Sequence, residues 1–335
     1  MAAGETVARR EDGGGDWPLE SVGFAGLLPG PRLLVVGGVH GNETCGPLAI
    51  ARAIDDCRSG RLGVRRGEVT FVPVANPKAF RQRTREGDRN LNRDLREKPI
   101  PLDFEDRIGN RLCALLRRHD VLLDLHSFRG DGEPFVFFGP EDNEGAREPF
   151  HHGASEAAFG ACLGTRTMIH GWLDAYASLI AARERLELPG LPITEGFGTT
   201  EYMRFAGGYG VTLECGSHDD PASAERGYEA ILRAFAHLRL SDDPAPESRV
   251  ERMIEISEVI ICEDPGDRLH GMWRTGDPVR AGDVIAHRAD GRPVVAAQAG
   301  YIIFPDAAAK RGDCVCYLGV DSRRTIASKP GTVLA

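Results

Sequence analysis

"RLLVVGGVHGNE", Arg32 to Glu43, is an apolar run that breaks at Gly37-Gly38 and then presents His40, Asn42 and Glu43. A short apolar run with a glycine stop predicts a buried strand over Arg32–Gly38. "PLAIARAIDDC" (Pro47–Cys57) follows and predicts a helix, with Pro near its first turn. The polar turn thus lies between a strand and a helix. Working outward, the same alternation repeats. "EVTFVPVAN" (Glu68–Asn76), "VLLDLHS" (Val121–Ser127), "PFVFFG" (Pro134–Gly139) and "GVTLECG" (Gly210–Gly216) predict strands. "FEDRIGNRLCALLRRH" (Phe104–His119) sets Ile108, Leu112 and Leu115 on one helical face, and "SAERGYEAILRAFAHL" (Ser223–Leu238) predicts another helix. This order predicts an α/β fold, a mixed central sheet with helices on both faces.

"LSDDPAPES" (Leu240–Ser248) reads as a linker, and the pattern changes beyond it. Short apolar runs now alternate with the turns Gly276-Asp277, Gly282-Asp283 and Gly312-Asp313. The expected organisation is a flexible N-terminus over 1–20, a main domain over 21–240 and a small all-β domain over 249–335. The layout of that last part resembles a biotinyl/lipoyl-like hammerhead. It lacks a lysine beside a methionine at a hairpin tip, which argues against a carrier role.

The 335 residues carry a formal net charge of −9, which argues against a general nucleic-acid binder, since that needs a basic face. No apolar run has the length of a membrane span, and the N-terminus has no apolar core of a secretory signal. The eight cysteines form no disulfide-like framework. Cys314 and Cys316 share one face if their strand alternates, as two buried thiols or, less simply, as a metal pair. A reduced, cytoplasmic protein is expected.

The chemistry returns to the opening turn. His40 and Glu43 follow a strand's carboxyl end, where sites assemble in open α/β sheets. Gly41 between them suits a sharp turn that aims both at one cation. Zinc takes His nitrogen and Glu oxygen, commonly from three protein residues with water in the fourth place. His126 ends its own strand and offers the third ligand, with Asp124 on the same side as a supporting partner. A lone H-x-x-E is more often a solvated turn, so the rest of the set matters. "NPKAFRQRTREGDRNLNRD" (Asn76–Asp94) is expected to be an irregular, arginine-dense loop suited to a bound carboxylate. Glu214 interrupts an apolar strand, so it either pairs or serves as a base near metal-bound water.

Taken in order, "HGNE", "NPKAF…TREGDRNLNRD", "LLDLHS" and "TLECG" resemble the succinylglutamate desuccinylase/aspartoacylase family, within the zinc-carboxypeptidase-like superfamily. The resemblance covers most of 32–238; the H-E-x-x-H signature is absent. It implies one zinc held by His40, Glu43 and His126. It implies Arg85 as the group that polarises the scissile carbonyl, Asn92 and Arg93 as the pair that holds a substrate carboxylate, and Glu214 as general base. A family arginine for a second carboxylate, ten residues before the glutamate, falls here on Arg204. The implied reaction is hydrolysis of a small N-acyl amino acid. A carboxypeptidase-like peptidase and a non-catalytic zinc-binding protein are the alternatives. Neither a nucleic acid nor a membrane is an expected partner, and a homo-oligomer is possible. His218 is expected at the surface or the pocket edge, His151-His152 in solvent, and Gly196–Tyr202 as a rim, with Tyr202 or Tyr209 as substrate contacts.

Overall fold

The computed structural model describes residues 17–325 and the backbone of Glu5–Val7. The expected flexible N-terminus falls mostly outside these residues; at its end, Trp17 and Leu19 pack onto the core. In chain order the elements are β1 (Glu5–Val7), β2 (Val22–Ala25), β3 (Leu28–Gly37), α1 (Cys45–Ser59), β4 (Arg66–Val72), α2 (Pro77–Gln82), α3 (Phe104–Leu116) and β5 (Val121–Phe128). There follow β6 (Phe135–Phe137), α4 (Gly153–Cys162), β7 (Thr167–His170), α5 (Trp172–Arg185), α6 (Thr199–Phe205), β8 (Tyr209–Ser217) and α7 (Ala222–His237). The last part holds β9 (Arg252–Ile261), β10 (Arg268–Leu269), β11 (Pro278–Val279), β12 (Val284–His287), β13 (Pro293–Val295), β14 (Gly300–Ile303) and β15 (Cys314–Asp321).

Strands β4, β3, β5 and β8 run parallel side by side. Strand β6 pairs antiparallel with β8, and β7 and β9 continue parallel beyond it. Beyond β9 the sheet goes on antiparallel through β15, β14 and β11. Among the described residues β10, β12 and β13 form a second, antiparallel sheet. The α/β reading with a large mixed sheet is therefore borne out. Alternation along β3 divides the apolar interior. Leu33 and Val35 join the core that α1, α4 and α7 cover, whereas Leu34 and Val36 join the core under α3 and α6.

Because the central strands are parallel, their carboxyl ends share one edge of the sheet. The turn after β3, the loop after β4 and the ends of β5 and β8 all emerge there. In the β5–β8 register Asp124 lies beside Thr212 and His126 beside Glu214. Leu123, Leu125, Val211 and Leu213 face the opposite core.

The turn after β3 uses its glycines differently from expectation. Gly38 takes the left-handed backbone, at φ 60°. Gly41 is required by close approach: a Cβ there would lie 2.0 Å from the Ala79 carbonyl carbon in α2. The turn closes as Glu43 N–H donates to the His40 carbonyl at 3.2 Å. Gly41→Ala is expected to destabilise the fold by about 1–3 kcal/mol through overpacking against α2 backbone. A lowered urea midpoint at unchanged slope would show this; an unchanged midpoint would mean that α2 shifts freely.

Candidate active site

Glu43 joins three segments of chain. Its Oε1 lies 2.7 Å from His40 Nδ1 and its Oε2 lies 2.9 Å from His126 Nδ1. The Ser127 backbone N–H donates to Oε2 at 3.1 Å, and Arg85 Nη1 donates to Oε1 at 3.2 Å. Glu43, His40 and His126 are all buried.

The far nitrogens of both rings identify the tautomers. Asn90 Oδ1 accepts the Asn92 backbone N–H at 2.9 Å and lies 3.1 Å from His40 Nε2. An oxygen therefore faces that ring nitrogen, and Nε2 is the donor. His126 Nε2 lies 2.9 Å from Asp124 Oδ2, a buried carboxylate that also accepts from Thr199 Oγ1. The neutral rings then aim Nδ1 lone pairs at the Glu43 carboxylate. Such facing acceptors need a cation or added protons between them.

The protonation tendencies of the bare side chains reflect this. Burial lowers His40 to about 4, against the pull of Glu43. For His126 burial acts downward too, but the Asp124 and Glu43 carboxylates outweigh it and hold the ring well above its usual value. Burial would raise Glu43, yet His40 and His126 hold it well below the ordinary glutamate range. The donor atoms of His40, Glu43 and His126 all lie within 4.8 Å of one another. Two imidazoles with hydrogen-bonded outer nitrogens and one carboxylate fit zinc.

Glu214 lies beside His126 in the sheet and is buried, and its Oε2 has no hydrogen-bond partner. Burial pushes this carboxyl up to about 8, with His126 pulling it down and Glu43 adding to the rise. It borders the same cleft as the His40–Glu43–His126 set, a cavity of about 430 Å³.

The segment expected to be irregular begins instead as a helix. The Asn76 side chain accepts the Ala79 N–H, and Pro77 opens α2. The loop after it is organised by a residue that sequence reasoning missed. Glu105, in the first turn of α3, is 0% exposed and accepts from the Asn76 side chain and from the backbone N–H groups of Gly87, Asp88 and Arg89. Arg89 in turn donates to Asp103 and Asp106. The loop so held brings Arg85, Asn92 and Arg93 to the cleft. Asn92 Oδ1 accepts the Thr199 N–H at 2.9 Å. Arg93 lies over the rings of Trp172 and Tyr176, 5.3 and 5.6 Å from their centroids, and meets no carboxylate among the described residues.

Arg204 is already paired with other side chains. It borders the cleft, but its Nε and Nη2 donate to Glu156 and its Nη1 donates to Glu148 and Glu201. A guanidinium committed to three carboxylates is not a free cation for a second substrate carboxylate. Tyr202 and Tyr209 pack in the two cores rather than in the cleft, while Gly198, Thr200 and Glu201 form part of the rim as expected. His218 is a cleft residue, bonded through Nδ1 to Ser127 Oγ at 2.8 Å; His151 is exposed. The thiols at 314 and 316 do not share a face. A bulge in the β9–β15 pairing lies between them, so Cys316 enters the C-terminal core and Cys314 borders the cleft.

Residues 29–130 match the family model described as the succinylglutamate desuccinylase/aspartoacylase catalytic domain. This segment is thus similar to that family, and it holds three of the four motifs, "HGNE", "NPKAF…TREGDRNLNRD" and "LLDLHS". The resemblance read from the sequence is borne out there. Solved structures share the fold over nearly the whole chain. A succinylglutamate desuccinylase/aspartoacylase from Rhodobacter sphaeroides is 20% identical with a TM-score of 0.71, covering 95% of this chain and 93% of that one. The product-bound ectoine utilization protein EutE (DoeB) from Ruegeria pomeroyi is 23% identical with a TM-score of 0.67, covering 95% and 94%. A succinylglutamate desuccinylase from Vibrio cholerae is 20% identical with a TM-score of 0.68, covering 96% and 91%. No curated protein matches. No helix among the described residues is long and apolar enough to cross a membrane.

Purified protein dialysed against zinc is expected to carry about one zinc per chain by elemental analysis. His126→Ala is expected to lose it; undiminished zinc would remove His126 from the ligand set.

Proposed function

We propose that the chain is a zinc-dependent hydrolase of small N-acyl amino acids. The observation that carries this is the juxtaposition of the His40–Glu43–His126 donor set with the unpartnered Glu214 carboxylate in one cleft. Zinc bound at that set would lower the pKa of a water and polarise the amide carbonyl.

The chain's own residues supply the rest. Glu214, ionised, takes a proton from the attacking water and returns it to the leaving nitrogen. Its burial, with the Glu43 carboxylate nearby, keeps its proton affinity high enough for both tasks. Arg85, half-exposed beside Glu43, reaches the carbonyl oxygen as negative charge develops there. Asn92 and Arg93 hold the substrate carboxylate and so fix the amide over the donor set. Arg204 takes no part in that contact. The free thiols among the described residues suit a reducing, cytoplasmic setting.

Small substrates are favoured over peptides because residues after β9 wall the cleft. Phe304 and Tyr317 border the same cleft as His40. Release of C-terminal residues from longer peptides at comparable efficiency would favour the carboxypeptidase-like alternative.

Glu214→Gln is expected to keep its zinc and lose about 10²–10⁴-fold in kcat on an N-acetyl or N-succinyl amino acid. In the wild type kcat/KM falls as pH drops through the Glu214 pKa, since the base must be ionised; this limb disappears in the variant. Wild-type turnover by the variant would remove Glu214 as the base. Glu105→Gln is expected to reduce kcat/KM by about 100-fold through misplacement of Arg85 and Arg93, with zinc content retained. Unchanged kinetics would show that the loop holds without that carboxylate.

A further inference from the structure

Beside the carboxylate-holding arginine stands an aromatic surface that no step of the hydrolysis uses. Trp172 packs against Phe137 with ring centroids 5.8 Å apart, and Phe137 packs against Phe304 at 5.7 Å. Tyr317 adds to the same surface, 5.8 Å from Trp172. Phe137, Trp172 and Phe304 are only partly buried, and all four rings border the cleft. The single donor of Trp172, its Nε1–H, is spent on the Gly196 carbonyl at 3.0 Å, so the indole turns carbon toward the cleft.

Phe304 is held there at a cost. Its φ is +49°, a backbone region that bulky side chains avoid. The Thr275 hydroxyl accepts its backbone N–H at 3.1 Å, and the rings of Phe128 and Phe135 pack at 6.0 and 5.5 Å. The surroundings therefore hold a strained residue with its ring against the cleft.

Position links this wall to one half of the substrate. Arg93 lies over Trp172, so a carboxylate on Arg93 sits at the edge of the aromatic surface. In an α-amino acid the carboxylate and the side chain share one carbon, so the side chain reaches the same wall. Two of the cations that border the cleft are committed elsewhere: Arg204 to three glutamates and Arg85 to Glu43. Arg129 also borders the cleft, but it is exposed, so water and salt screen its charge.

We propose that the Phe137–Trp172–Phe304–Tyr317 wall selects N-acyl amino acids whose side chain is apolar or aromatic, in preference to N-acyl aspartate or glutamate. This rests on the hydrolase reading. Burial of an apolar side chain against the rings supplies the discrimination, while an acidic side chain there loses its hydration without a partner.

The test uses the zinc-loaded full-length chain with N-acetyl and N-succinyl derivatives of phenylalanine, leucine, aspartate and glutamate. The expected kcat/KM for the phenylalanine and leucine derivatives exceeds that for the acidic ones by at least about tenfold, mainly through KM. Phe304→Ala is expected to shrink that ratio, and Phe304→Leu to retain most of it for leucine. Preference for the acidic derivatives, or a ratio unchanged in both Phe304→Ala and Trp172→Ala, overturns the proposal. Calorimetric binding to zinc-loaded Glu214→Gln separates the two readings. No turnover by the wild type, together with about tenfold tighter binding of N-acetylphenylalanine than of N-acetylaspartate, supports the wall and overturns the hydrolase. Equal binding of the two overturns the wall.

Discussion

The Glu43 carboxylate is the constraint on which the rest of the site depends. It is a buried anion, and burying such a charge is tolerable only with close partners. Those partners come from three separated places: His40 on its own turn, His126 and the Ser127 N–H at the end of β5, and Arg85 on the loop after β4. A shift of any one segment leaves the carboxylate under-satisfied. The same demand explains the turn that carries it. Left-handed Gly38 brings the chain off β3, and the bare Cα of Gly41 lets the turn lie on the α2 backbone.

A second buried carboxylate does for the backbone what Glu43 does for the side chains. The long loop between α2 and α3 has no regular ladder to satisfy its N–H groups, and buried backbone donors must find acceptors. Glu105 accepts three consecutive ones, from Gly87, Asp88 and Arg89. Arg89 then ties the loop to Asp103 and Asp106, and Lys98 bridges Asp94 and Asp106. The arginines that face the cleft are thus mounted on an irregular segment held by charge-assisted hydrogen bonds rather than by helix or strand pairing.

What was legible in the sequence follows from the range of the interactions involved. Strands β3, β5 and β8 and helices α1 and α7 declare themselves through local apolar periodicity, and their parallel order places His40, Glu43, His126 and Glu214 on one edge. Asp124 was legible for the same reason, two residues from His126 on one face of a strand. Glu105 was not, because nothing in "DFEDR" says that its carboxylate faces amides sixteen to eighteen residues upstream. For Arg204, spacing from Glu214 led to a residue that does border the cleft, but its pairing with Glu148 and Glu156 comes from other segments and was not legible. The Cys314–Cys316 pair was misread because alternation fails at a bulge, and no residue there announces one.

The C-terminal segment completes the cleft through the sheet itself. Strand β9 runs parallel to β7 in a register that sets Ile254 beside Ile169, and β15 pairs along β9. Phe304, after β14, and Tyr317, on β15, are thereby carried to the side of Trp172 and Phe137. The His40–Glu43–His126 donor set, Asn92, Arg93 and Glu214 all lie in the first two-thirds of the chain, whereas half of the aromatic wall lies beyond Cys262. Cys262, Ile285, Ile302 and Leu318 give that last part a core of its own. Substitutions at Phe304 and Tyr317 remove no hydrogen bond to Glu43, whereas Trp172 also touches Arg93. The donor set and half of the aromatic wall are thus carried by different parts of the chain, and the left-handed backbone at Phe304, just past β14, sets its ring among those of Phe128, Phe135 and Phe137.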